Sequence, residues 1–290
     1  MTSPRHVGGE SEVRHLLLAR DTGYDIRALA QRIAPILGDP PTDLATQLRY
    51  SSGIIATDLL SDVADEILAA LEALDLEALS IAADEFAVVR PEVVPVRSVE
   101  WRPGEDTVVL EARRTKVELD RARLGAADLA LFGSLADDNE AESSTDDWEL
   151  RAMAEVVPFE HAEARKVFLD QRESATPIAD LYDREHTVYR IERGTAVVES
   201  GEGSTRPWNE NFLLFWGAWT AELDAMQLSD RARRFWENPS AETILVSKAE
   251  ELTKRREWIS TLLAIDRWNH DSSSHSGEPD QTDDRNGFDA

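Results

Sequence analysis

The chain has 290 residues, a net charge of −26, no cysteine and 42% hydrophobic residues. The missing cysteines exclude disulfide frameworks, thiol nucleophiles and cysteine-ligated metals, and no apolar run approaches the roughly 20 residues that span a bilayer. The hydrophobic share is too high for a disordered acidic chain, and the length allows one large domain or two ordinary ones.

Only Lys116, Lys166, Lys248 and Lys254 are lysine; the remaining basic residues are arginine. A folded, acid-rich, lysine-poor chain is expected of an organism holding molar potassium chloride in its cytoplasm, the alternative being a GC-rich genome whose codons also favour Arg over Lys. At molar ionic strength the Debye length is about 3 Å, so the charge serves solubility rather than ligand steering. The opening MTSPRHVGGESEVRHLLLARD lacks the basic start and long apolar core of a signal peptide, so a cytoplasmic location is expected.

In chain order, residues 10–20 and 25–37 read as short helices, the second ending at Gly38. Residues 43–85 read as the clearest helical stretch, with Leu60, Ile67, Leu74 and Ile81 at seven-residue intervals and acids on other faces. Together they form an N-terminal helical region, 1–85. The period then changes. In residues 86–114, Val99 and Trp101 precede an Arg102-Pro103-Gly104-Glu105 turn and Val108 and Leu110 follow it, which predicts a hairpin near 92–113. Residues 115–136 read as helix, 137–147 as an acidic loop and 148–172 as helix.

Residues 177–199, PIADLYDREHTVYRIERGTAVVE, admit two readings. A hairpin turning at Arg193-Gly194 puts Tyr189, Ile191, Ala196 and Val198 on one apolar face, and this is the preferred reading. The alternative is a helix-turn-helix: HTVYRIERG resembles second helices of bacterial and archaeal repressor-type domains, which would make Arg184, Arg190 and Arg193 the DNA-contacting residues. A winged arrangement, with a helix at 177–183 and the hairpin at 187–199 as the wing, falls within the hairpin reading and would also make the chain a DNA-associated regulator.

Residues 206–268 are the exception in an acidic chain. They hold nine basic residues against ten acids, and six of the eight tryptophans. NFLLFWGAW is apolar around most of a helix, which means deep burial or an interface. A last helix over about 240–267 carries Lys254-Arg255-Arg256. Trp and Arg concentrate at the energetic centres of interfaces, so Trp216, Trp219, Lys254, Arg255, Arg256 and Trp258 are the candidate partner-binding residues. Residues 269–290 read as a disordered acidic tail.

Catalytic signatures are sparse. Phosphate loops, nucleophile elbows, HExxH and dinucleotide fingerprints do not occur, and Glu12 with His15 forms a single ExxH pair where a carboxylate-bridged metal centre needs two. Residues 130–150, ALFGSLADDNEAESSTDDWEL, resemble the opening of DNA-polymerase-β-type nucleotidyltransferases. By that resemblance Gly133 and Ser134 would match the family's Gly-Ser, and Asp147 and Glu149 its magnesium-holding pair, although Glu replaces the second Asp.

The expected fold is α+β, predominantly α-helical with a small antiparallel β component. The expected function is a non-enzymatic interaction or regulatory subunit of a cytoplasmic complex, acting through a protein partner or self-association, with no cofactor, no metal and no membrane. A DNA-associated regulator and a nucleotidyltransferase-like enzyme are the alternatives.

Overall fold

The computed structural model describes residues 12–20, 24–84, 86–102, 104–133, 175–200, 208–221, 223, 227–237 and 241–274. The sequence begins with β1 (Val13–Leu18), α1 (Ile26–Leu37), α2 (Pro41–Ser51), β2 (Ile54–Leu60), α3 (Ser61–Glu72) and β3 (Ala78–Ala82). β1 is the centre of a three-stranded antiparallel sheet ordered β2-β1-β3. Leu16 and Leu18 face the three helices, meeting Leu29, Ile33, Leu48 and Ile67 in one core. Leu17, between them, faces the other way.

Local chemistry sets the helix ends. The Asp25 side chain accepts from the amides of Arg27 and Ala28, and Gly38 closes α1 in the left-handed conformation. α2 stops at Ser52 and Gly53, both at positive φ, which frees the chain to enter β2.

The remaining strands build a mixed sheet: β4 (Glu92–Trp101), β5 (Thr107–Ala112), β6 (Thr115–Asp120), β7 (Leu124–Gly133), β8 (Ala175–Asp183), β9 (Thr187–Glu192), β10 (Val197–Ser200) and β11 (Leu245–Val246). Its order is β11-β7-β8-β9-β4-β5-β6, with β10 also on β4. α4 (Trp208–Thr220) and α5 (Asp230–Glu237) follow β10, α6 (Ala241–Ile244) precedes β11, and α7 (Ala249–Ser274) ends the described chain.

One face of the mixed sheet packs on α4. Trp208, Phe212 and Trp216 form a stacked series there, Phe215 stacks on Trp219, and Leu129, Leu131, Leu181 and Ile191 lie beneath. The opposite face packs on α7. The far side of α7 meets the small sheet, where Trp258 joins Leu17 and Ile54 and donates from Nε1 to the Leu18 carbonyl at 2.8 Å. α7 is therefore the shared layer between the two sheets.

The structure corrects the predominantly helical expectation: the described residues hold eleven strands and seven α-helices. β1 replaces the helix read at 10–20, because a central strand covered on both faces shows no polar alternation. The helical reading of 43–85 dissolves into α2, β2, α3 and β3. Its seven-residue stripe does not exist, since Leu60 is 49% exposed and Ile81 lies in a strand. Residues 115–120 form β6 and 124–133 form β7; β6 is largely exposed, while β7 is buried enough to read as a continuous apolar run. The final helix begins at Ala249 rather than near 240 and runs to Ser274, within the expected tail. The hairpin near 92–113 is present as β4–β5, with Val99 opposite Leu110.

The hairpin at 187–199 is not. β9 and β10 both run parallel to β4, the first beside Glu92–Pro95 and the second beside Ser98–Trp101. Between them the Glu192 carbonyl accepts from the amides of Thr195 and Ala196, a local turn after which the chain resumes its direction. Tyr189, Ile191, Ala196 and Val198 do share one core, so the facing inferred from the alternation is right and the pairing is wrong. The helix-turn-helix is equally absent, since 175–183 and 187–192 are the paired strands β8 and β9.

Candidate functional site

Two features stand out where α7 meets its neighbours. The first is a buried ionic layer against the mixed sheet. Asp128 of β7 lies directly opposite Asp180 of β8, and Asp180 opposite Arg190 of β9, so one cross-strand row carries three charges toward α7. Asp128 accepts from Arg255 Nε at 2.8 Å, Arg231 Nη2 at 2.7 Å and Ser229 Oγ at 2.5 Å. Arg256 Nε donates to Asp180 Oδ2 at 2.6 Å.

Burial alone would push the Asp128 carboxyl up. The guanidiniums of Arg231 and Arg255, with hydrogen bonds from Arg255 and Ser229, outweigh it and hold the group well below the usual carboxylate range. Burial, then the charges of Asp180 and Asp128, push the Tyr182 phenol well above its ordinary value. A carboxylate held ionised at neutral pH with its oxygens occupied is a poor base and a poor metal ligand. Its chemistry here is cross-linking, joining β7 to α5 and α7.

The second feature is a cleft of about 930 Å³ on the other side of α7. Its walls come from α2, from β2, from residues 87–90 and from the first turns of α7, including Glu250, Lys254 and Glu257. Glu257 is buried and holds Lys254 Nζ at 2.8 Å and Arg90 Nε at 3.7 Å. Thr261 fixes the facing segment by accepting from the Val89 amide at 2.9 Å.

β2 is bulged beside this cleft. Arg14 pairs with Leu59 and Leu16 with Ala56, so His15 stands opposite both Thr57 and Asp58. Asp58 sits at φ 58°, and its amide donates to His15 Nδ1 at 3.2 Å. The acceptor role of Nδ1 requires a neutral imidazole with its proton on Nε2. Two results are expected: ¹⁵N spectra showing the Nε2–H tautomer for His15, and a loss of about 0.5–1.5 kcal/mol in His15→Ala from removal of the bond to the Asp58 amide. A protonated Nδ1 in those spectra would contradict the bond.

Of the sequence-derived partner residues, Trp216 and Trp219 lie in the α4 core, Trp258 lies between the sheets, and Arg255 and Arg256 are spent on Asp128 and Asp180. Lys254 alone of the six lines the cleft. Arg184 and Arg193 occupy turns at opposite ends of β9, while Arg190 lies within the strand, 3.9 Å from Asp180 and 3.6 Å from Glu192; the three form no common patch. Gly133 ends β7. Ser134, Asp147 and Glu149 lie outside the described residues, as does the helix expected at 148–172.

Sequence reasoning did not single out Asp128, Asp180 or the His15–Asp58 pair. A signal for the first two existed: AADLAL and PIADLY each set one carboxylate in an apolar strand, which demands a buried cation. Among the described residues no helix is long and apolar enough to cross a membrane, and no group of three or more His, Asp or Glu could hold a metal ion. Comparison with known family models, curated proteins and solved structures returns no match.

Proposed function

We propose that this chain is a non-enzymatic interaction subunit of a cytoplasmic complex, and that its partner docks in the cleft beside β2. The observation that carries this reading is the cleft itself, bordering a strand edge that no other described strand covers. Its walls are held in place by α7, which is bonded to both sheets, so the cavity is pre-formed. The buried tryptophans and arginines of 206–268 then support the cleft from behind, with Lys254 as their contribution to the docking surface.

The test uses the full chain carrying a photoreactive side chain at Gln47, which is exposed on the cleft wall, or at Thr195, which is exposed in the β9–β10 turn. In extract of the native host at its working salt, a polypeptide adduct is expected at Gln47, absent at Thr195 and suppressed when Thr57 is changed to Trp. No adduct at Gln47, or equal adducts at both sites, would remove the cleft as the docking site.

A further inference from the structure

We propose that the cleft takes a basic, extended polypeptide segment, which adds edge-on to β2 as a further strand; this rests on the docking reading above. Residues Ile54, Ile55, Ala56, Thr57, Asp58 and Leu59 line the cavity without a gap. A regular strand turns every second residue away from a cavity on one face, so an unbroken lining run in this bulged strand places the cavity along its edge. β1 occupies the other edge of β2, and no described strand occupies this one. A free edge offers main-chain donors and acceptors at the spacing an extended segment needs.

Two bulges shape the fit. Register shifts on both sides of the Leu16–Ala56 pair leave consecutive pairing only at Leu59 and Leu60, and the exposed Asp58 stands beside that regular end. Charge then selects the segment. Both cleft cations, Arg90 and Lys254, are engaged by Glu257, whereas Asp39, Asp58 and Glu250 are exposed and have no ion pair among the described residues. A segment with basic side chains would neutralise that rim. Its apolar side chains would meet Leu37, Leu59 and Val88 and the exposed Leu60, which ends the same strand. Long-range attraction from a −26 chain is screened at high salt, so the selectivity resides in the short contacts within the cleft.

The experiment is fluorescence anisotropy on the full chain in molar potassium chloride, with capped peptides of about six residues. One alternates valine and arginine, one is its backbone N-methylated analogue of equal charge, and one alternates valine and glutamate. The arginine peptide is expected to bind, with affinity falling at least about tenfold on N-methylation and in either Gln47→Trp or Thr46→Trp, both exposed positions on the cleft wall. Equal binding of the N-methylated peptide would show charge attraction without strand addition and overturn the proposal, as would preference for the glutamate peptide. A concentration-dependent dimer abolished by Gln47→Trp would also overturn it, by making a second copy the occupant. If no peptide binds while Gln47 still forms its adduct, the docking site stands and the extended segment fails. If the adduct is missing as well, the docking site fails with it.

Discussion

Replacing Asp128 by alanine is expected to cost about 3–5 kcal/mol, a large part of the 5–15 kcal/mol that holds a typical domain together. The substitution removes the acceptor shared by Arg231, Arg255 and Ser229. Both guanidiniums are almost fully enclosed, so they lose the Asp128 carboxylate without gaining water. Urea denaturation at constant potassium chloride measures the loss. Asp128→Leu combined with Arg231→Met and Arg255→Met should recover much of it, because well-packed apolar groups commonly replace a buried ion cluster at little net cost. The pH dependence has a definite sign. The folded-state carboxyl lies below the ordinary value, so its contribution is complete above the unfolded value of about 3.9 and is lost as pH falls from there toward the folded value. Asp128→Asn should therefore flatten the acid limb of the stability profile. A variant as stable as the parent, with an unchanged acid limb, would show that the ionic layer contributes nothing.

The same residues show how much the sequence revealed. The β4–β5 hairpin was legible because a turn signal separates two alternating runs that lie at the sheet's less buried end. β1 and β7 were illegible for the opposite reason: each is covered on both faces, so period-two alternation is erased and the apolar run resembles helix. β9 and β10 show a subtler limit. Alternation reports which way side chains face, and there it reported correctly. It carries no information on whether β9 and β10 pair with each other or with β4, 95 to 99 residues earlier. The aromatic and basic content of 206–268 marked the energetic centre of the fold, but composition could not distinguish an inward from an outward display. Two isolated aspartates in apolar strands would have decided that question, since their cations had to come from somewhere, and Arg255-Arg256 was the strongest pair on offer. The cleft left almost no trace in the sequence, because its walls come from α2, β2, residues 87–90 and α7 and exist only once α7 is seated.

Seating α7 depends on one glycine, and Gly53→Ala is expected to cost on the order of 4 kcal/mol. Two effects add. Gly53 has φ of 100°, where alanine is strained by roughly 1–3 kcal/mol, and its added Cβ would collide with the Trp258 ring, an overpacking worth about another 1–3 kcal/mol. The ring cannot simply withdraw. It lies in the apolar cluster between the sheets, and its Nε1 is bonded to the Leu18 carbonyl. Movement of Trp258 would break that bond and loosen α7 from the small sheet, while Arg255 and Arg256 keep it fixed to the mixed sheet. Hydrogen exchange should therefore quicken in β1 and β2 before it changes in β7 and β8. Combining Gly53→Ala with Trp258→Ala removes the collision but leaves the backbone strain, so the double variant should lose less than the sum of the two single losses. Strictly additive losses would mean that the ring and the glycine do not meet. A Gly53→Ala protein with parental stability would mean that α7 is not seated on this contact, and the cleft walls would then lack the rigid support on which the docking proposal depends.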